Sequence, residues 1–336
     1  MRIADELCGG VTVTTMTALG RQALAVTARW LRDDGCSGKR HRSNTLVVPW
    51  FSCQTMITPW QLEGYRVHRL PVDDDFQLDA DALADAVAAC RQHGEHPTVL
   101  TSETFGIQPG AKLIEVLEQA CHDGVPVVVD RTHSFLGPSF TPADIEVVST
   151  RKLLPLTEVA WVDANEDLSR FVGRRGDKDE LLTAARRRFL KHRGLDTFEE
   201  TEDLADDCWA PVPPDDNARA EFERFNLAEF ARRVGQTRDA LLRGLDATRV
   251  VNPAACCAMV LRHPGADELA DRLRRVGVVG SLHWDRPQHL DVDWPEDLVS
   301  LPAVMDETTI DRVIDLVTTV VEGTRVSWKN GDLLRS

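Results

Sequence analysis

The stretch that decides the fold is Val127–Phe135, "VVVDRTHSF", read together with Ser149–Pro155, "STRKLLP". An apolar β-branched run closes on an acid, Asp130. A histidine, His133, follows it, and a lysine, Lys152, stands just beyond the next such run, "DIEVVS". Short continuous Val/Ile runs read as strands buried on both faces, as in parallel sheets. In an open parallel sheet, ligands gather outside the carboxyl ends of the strands, and Asp130 sits at such an end. A carboxylate there is either a cap for the following turn or a partner for a cationic ligand group. An isolated lysine such as Lys152 is either a solvated surface charge or an amine set to form an imine with a carbonyl. The second role calls for a pKa lowered by burial or by a neighbouring cation, and Arg151 is adjacent.

Outward from this stretch, helices alternate with β-branched runs. "GRQALAVTARWL" places Ala23, Leu24, Thr27, Ala28 and Leu31 on one helical face, with Gly35 just past its end. "NTLVVPW" reads as a buried strand and "YRVHRLPVD" as a half-buried one. "DADALADAVAAC" is a helix that Asp79 can cap. "TVLTS" is strand, "AKLIEVLEQACHDG" helix, and "EVAWVD" a strand beyond the lysine. The alternation predicts an α/β fold: a mainly parallel central sheet covered by helices on both faces.

Beyond about residue 165 charged helical segments take over, from Asp177 to Arg193 and from Asn217 to Arg243, separated by the turn-rich "DDCWAPVPPDDN". That proline cluster reads as the interdomain connector. The expected division is a large domain over 1–210 and a smaller C-terminal α+β domain over 211–336. The latter holds "ACCAMVLRH", "ADELADRLRRVG" and a closing helix, "TTIDRVIDLVTTVVEG".

Composition narrows the function. The chain has 336 residues, 43% of them hydrophobic, enough for one large core or two linked ones. A net charge of -15 opposes the phosphate contacts on which nucleic-acid binding depends, so a small-molecule partner is expected and nucleic acid is not. The basic run "AARRRFLKHR" (Ala184–Arg193) reads as a solvated helix face. No uncharged run approaches the roughly 20 residues that span a bilayer, and the acidic N-terminus does not look like a signal peptide; a cytoplasmic protein without membrane contact is expected. Eight cysteines without a Cys-x-x-Cys pair read as reduced thiols. Cys90, His93 and His96 flank a glycine at what reads as a helix end, and no metal is assigned.

The succession "GRQAL", "VVPWFSCQT", "GYRVHRLPVD", "VVVDRTHSF" and "STRKLLP" resembles the DegT/DnrJ/EryC1 group of fold-type I aminotransferases, which use pyridoxal 5'-phosphate. The likeness spans nearly the whole chain and is nearest to divergent members with Asp-x-Thr-His-Ser and Ser-x-Arg-Lys motifs. It implies that Lys152 holds the cofactor aldehyde as a Schiff base and then carries the proton between substrate Cα and cofactor C4'. It gives Asp130 the pyridinium nitrogen, keeping the ring an electron sink. His133 matches a position that contacts the ring's phenolic oxygen or packs near it, with a structural histidine as the plain alternative. The group binds phosphate at the helix start that here reads Leu19, Gly20, Arg21 and Gln22, where backbone amides and the helix dipole favour an anion. A simple turn before a helix is the other reading of Gly20. Ser149 is either a hydroxyl contact to phosphate or a structural bond in its turn.

Two departures from the group's pattern stand out. Where many relatives set an aromatic residue over the ring, this chain has Cys53, with Trp50 and Phe51 nearby. Where many have a Gly-Gly pair after the lysine, it has Thr157, Glu158 and Val159. The resemblance implies a homodimeric aminotransferase-like enzyme acting on an amine or keto substrate, either an amino acid or an amino or keto sugar. The segment "LCGGVTVTTM" is expected near the subunit boundary. Arg21, Arg131, Arg151 and Arg262 are candidates for a substrate carboxylate. The alternatives are a lyase, racemase or carbon–carbon bond-forming enzyme using the same cofactor, or a non-catalytic partner protein that keeps the fold.

Overall fold

The apolar runs form a seven-stranded sheet whose strand order is β1-β7-β6-β5-β4-β2-β3. Its strands are β1 (Val13–Thr17), β2 (Thr45–Pro49), β3 (Arg66–Leu70), β4 (Pro97–Ser102), β5 (Val127–Asp130), β6 (Ile145–Ser149) and β7 (Ala160–Ala164). The computed structural model describes residues 12–33, 44–280, 282–284, 286–287 and 291–327. Gly35 and residues 7–11 of the N-terminal segment therefore lie outside the described residues. From β3 across to β6 neighbouring strands are parallel, and β7 is antiparallel to both β6 and β1. The sheet is thus mainly parallel, as the alternation of strands and helices predicts.

Helices cover both faces because successive strand residues point to opposite sides. On β2, Leu46 and Val48 join the cluster of Trp30, Leu31, Ile57 and Trp60 from α1 (Gly20–Asp33) and α2 (Gln54–Leu62). Val47 instead joins Leu83, Val99, Leu113 and Leu117, against α3 (Ala80–Gln92) and α4 (Ala111–His122). Each fully buried Leu or Val contributes roughly 1.5–3 kcal/mol, so the two-sided burial of this strand fixes its register. Asp79 caps α3, its carboxylate accepting the Ala82 amide at 2.8 Å.

The connections align the carboxyl ends of the parallel strands. Ser102 pairs with Asp130 and Asp130 with Val147, while Thr17 and Ser149 both pair with Ala160. The ends of β1, β4, β5 and β6 therefore lie along one edge of the sheet. Helix α1 starts from this edge directly after β1.

The first compact unit runs through residue 225, apart from 193–195, and the second comprises those three residues and 226–336. In the first unit, α5 (Asp177–His192), α6 (Leu195–Asp206) and α7 (Asp216–Arg224) follow the sheet. The segment between α6 and α7 is bonded into that unit: the Ala18 amide donates to the Val212 carbonyl at 2.9 Å and the Gly173 amide to Pro211 at 2.8 Å. The charged stretch beyond Asn217 forms two helices, α7 and α8 (Leu227–Gly244). Asn226 breaks them apart, its side chain capping α8 through the Glu229 amide at 3.0 Å.

The second unit is α+β. Three short antiparallel strands, β8 (Val260–Arg262), β9 (Leu282–His283) and β10 (Leu298–Ser300), lie in the order β8-β10-β9. Leu261 and Val299 pack with Leu241 of α8, Leu269 and Leu273 of α9 (Ala266–Arg275), and Val313 and Val317 of α10 (Glu307–Ser327). Among the described residues no helix is long and apolar enough to cross a membrane.

Candidate active site

Asp130, His133, Ser149 and Lys152 meet at the carboxyl edge of β5 and β6, tied by hydrogen bonds from backbone to side chain. The Asp130 carboxylate accepts the Thr132 amide at 2.8 Å, turning the chain at the strand end. Thr132 Oγ1 in turn accepts the Ser149 amide at 3.1 Å, which joins the two motifs. Lys152 closes a 3-10 turn, Thr150–Lys152, held by two bonds from Thr150 to the Val159 carbonyl, 3.0 Å from the amide and 2.8 Å from the hydroxyl. Its exposed Nζ lies 3.5 Å from His133 Nε2.

The opposite ring nitrogen, His133 Nδ1, accepts the backbone amide of Phe105 at 3.1 Å. Burial of the imidazole, reinforced by the Lys152 charge, pushes the His133 pKa down to about 3. The ring is therefore neutral at ordinary pH.

Gly20 opens α1 against the end of β6. A Cβ placed on Gly20 would stand 2.7 Å from Ser149 Cβ and 3.2 Å from its Oγ, so this approach requires glycine. The amides of Gln22 and Ala23 return to the Leu19 carbonyl at 3.0 and 3.1 Å. Amides at a helix start point outward without intrahelical acceptors, and the helix dipole adds a partial positive charge. The site thus offers an anion position beside the Ser149 hydroxyl.

The side chains of Arg21 and Gln22 serve the fold instead. Arg21 donates to the Ala205 carbonyl at 2.7 Å, pairs with Asp206 at 3.0 Å and lies 4.5 Å from the Trp209 ring centroid. Gln22 caps the helix through the Leu19 amide at 3.2 Å and donates to the Cys208 carbonyl at 3.3 Å. Arg21 therefore has only its backbone amide to turn toward an anion, and the Gln22 amide is already bonded to the Leu19 carbonyl. The other three candidate arginines are also engaged: Arg131 with Glu103 and Glu146, Arg151 with Glu202, and Arg262 with Asp297.

Cys53 stands apart from the hydrogen bonds that join these residues. It occupies the N-cap position of α2, with Sγ 2.9 Å from Thr55 Oγ1, and packs on the core. Phe51 is buried among Phe76 and Phe105, with ring centroids 4.8 and 5.8 Å away, and Trp50 meets it edge-on. No metal-binding group of His, Cys, Asp or Glu forms among the described residues.

The segment Thr157–Val159 is anchored through the Glu158 side chain. Buried Glu158 accepts from Arg175 at 2.6 Å, Thr183 at 2.9 Å and the Asp215 amide at 2.6 Å. Desolvation raises its pKa against those bonds. Arg186, from the basic run read as a solvated face, is buried and donates to the Arg151 carbonyl at 3.0 Å, bracing the lysine turn. This corrects that reading for Arg186, whereas Arg187 and Arg188 pair with Asp215 and Glu200 and are exposed. The spacing contained the signal: Leu182, Ala185, Arg186 and Phe189 lie on one helical face, and all four are buried. Phe105 and Thr132 receive no role from sequence, because one acts through its amide and the other through a bond that exists only once β5 and β6 lie side by side.

A seven-stranded, mainly parallel sheet flanked by helices matches the fold of solved aminotransferases that use pyridoxal phosphate. Solved structures bear this out at nearly full length. Helicobacter pylori PseC, an aminotransferase involved in the biosynthesis of pseudoaminic acid, has a TM-score of 0.65 at 12% identity, with 95% of this chain and 89% of that one covered. Spr1654 of Streptococcus pneumoniae, a sugar aminotransferase by its description, in its pyridoxamine-phosphate form, gives 0.64 at 14% over 97% and 90%. A DegT DnrJ EryC1 StrS aminotransferase from Brucella abortus gives 0.60 at 15% over 94% and 87%. At these identities the likeness is one of fold. No family model matches the chain, and no curated protein matches it by sequence.

Proposed function

We propose that this chain is a pyridoxal-phosphate-dependent aminotransferase of the DegT/DnrJ/EryC1 type, acting on an amino or keto sugar. The observation that carries the reading is the single hydrogen-bonded frame that sets Asp130, His133 and Lys152 beside the glycine-opened start of α1. The donor set fits the cofactor group by group. Lys152 supplies an amine for its aldehyde, Asp130 a carboxylate for its pyridinium nitrogen, and His133 a ring nitrogen for its phenolic oxygen. The first amides of α1 and the Ser149 hydroxyl suit its phosphate. The close approach of Gly20 to Ser149 supports this reading by bringing the start of α1 beside the Ser149 hydroxyl.

When bound, the cofactor supplies an electron sink for the charge that develops at substrate Cα. The chain's own residues do the rest. Lys152 would take the proton from substrate Cα and, with the cofactor held in the site, return it at C4', across the nitrogen, a 1,3-transfer whose outcome is amino-group transfer. Asp130 maintains a positive charge at the ring nitrogen. The anchors of the lysine turn, Thr150, Glu158 and Arg186, hold the amine in place. Two copies of the chain are part of this reading, with sites at the subunit boundary. So is a cytoplasmic setting, where the free thiols of Cys53, Cys90, Cys208 and Cys256 stay reduced.

Borohydride reduction of the chain loaded with pyridoxal phosphate, followed by peptide mapping, tests the assignment. Label on Lys152 supports it, and label on Lys112 or Lys191 overturns it. Light scattering should report a dimer. Mixing with a sugar amine should give the pyridoxamine-phosphate spectrum, and a keto acceptor should reverse it. Product without nitrogen transfer would replace transamination with lyase or bond-forming chemistry.

A further inference from the structure

We infer that Phe105 is a positioning residue, whose left-handed backbone presents its amide N–H to Nδ1 of His133 and so fixes that ring as the Nε2–H tautomer. Phe105 has φ 57° and ψ 18°, a left-handed conformation unfavourable for a non-glycine residue. The surroundings hold it there. Its ring is buried against Phe76, itself at φ 61°, with centroids 5.2 Å apart, and against Phe51 at 5.8 Å. Its other neighbour is His133, whose ring lies nearly parallel at 11° with centroids 6.2 Å apart. Three aromatic side chains from separate loops therefore wedge the turn after β4 into a shape that aims one amide at one ring nitrogen.

The chemistry of that contact allows a single proton arrangement. A backbone amide only donates, so Nδ1 must offer its lone pair, and a neutral imidazole then carries its proton on Nε2. Burial and the Lys152 charge keep the ring neutral. Nε2 faces Lys152 Nζ at 3.5 Å. His133 thus presents a fixed N–H toward the amine end of the site, which finds an acceptor there only when Lys152 is a neutral amine or an imine, since an ammonium has no lone pair; it cannot act as the site's base, which leaves proton transfer to Lys152. That last consequence rests on the function proposed above, whereas the tautomer assignment does not.

The test is a long-range proton–nitrogen correlation spectrum of the full chain carrying ¹⁵N-histidine, recorded with and without pyridoxal phosphate. The His133 signals are identified by their loss in His133→Gln. The expected result in the unsubstituted chain is a protonated Nε2 and bare Nδ1, unchanged between about pH 5 and 8, where an unperturbed imidazole titrates. A protonated Nδ1, or titration within that window, overturns the inference directly. Phe105→Gly keeps both the amide and the left-handed backbone, so it should retain the pattern. Phe105→Pro removes the N–H and excludes positive φ, so it should shift the ring to mixed tautomers. If the glycine variant also shifts, the aromatic ring rather than the amide sets the tautomer, and the inference fails. Failure of pyridoxal phosphate to bind would refute the proposed function while leaving the tautomer result standing.

Discussion

Adding one methyl group at Gly20 should destabilise the protein, although the same change at most compatible sites does the opposite. Gly20 does not have a left-handed φ, and it lies in the first turn of α1. An alanine with the same backbone would ordinarily stabilise by about 0.4–1 kcal/mol, through the unfolded chain. Here the new Cβ would lie 2.7 Å from Ser149 Cβ and 3.2 Å from Ser149 Oγ, with Ser149 Cα at 3.8 Å. Carbon atoms pack best at about 3.5–4.0 Å, so α1 and the end of β6 must separate by close to an ångström. Ser149 cannot rotate away, because the contact is with its Cβ, which is fixed to the strand. Overpacking of this kind costs about 1–3 kcal/mol, which exceeds the expected gain and sets the sign. For a unit of this size each kcal/mol moves the melting temperature by about 2–4 °C. Gly20→Ala should therefore melt a few degrees lower and bind pyridoxal phosphate more weakly. Ser149→Gly in the same chain removes the struck atom and should restore the lost stability, with a coupling of at least about 1 kcal/mol in the double-mutant cycle. Thermal denaturation followed by circular dichroism decides the matter. A Gly20→Ala chain that melts at or above the parent temperature, or that Ser149→Gly fails to rescue, refutes the close-approach argument.

Asp130→Asn keeps the oxygen that accepts the Thr132 amide, so the fold should persist while turnover with pyridoxal phosphate falls by more than about 10²-fold; near-normal rates would assign Asp130 to capping alone. Glu158→Ala removes the acceptor shared by Arg175, Thr183 and the Asp215 amide and should cost about 3 kcal/mol, measured by denaturant unfolding, and an unchanged midpoint would contradict its anchoring role. His133 has a folded pKa of about 3 against 6.5 unfolded, so its contribution to stability is complete above about pH 6.5 and is lost as the pH falls toward 3. The loss approaches about 1.4 kcal/mol per pH unit within that window, and His133→Gln should flatten this part of the stability profile measured by thermal unfolding at successive pH values; an identical slope in both chains would refute it.

The sequence by itself determined the alternation of strands and helices, because burial on both faces demands continuous apolar runs such as "VVVD" and helical burial demands the three-to-four spacing of Ala23, Leu24, Thr27, Ala28 and Leu31. It also placed Asp130 and Lys152 at strand ends, which in a parallel sheet share one edge by topology alone. Tertiary structure decided what each side chain does there. Arg21 and Gln22 lie in the helix start that the sequence marked, yet their side chains turn to Ala205, Asp206 and Cys208, residues brought near only when α6 packs beside α1. Arg186 looked like surface charge until the lysine turn offered it the Arg151 carbonyl. Phe105 gave no signal, because its contribution is a backbone amide whose direction depends on a positive φ held by aromatic residues far apart in the chain. Periodicity records which face of an element is buried. The direction of a hydrogen bond, and the partner that receives it, exist only once separate strands have been set side by side.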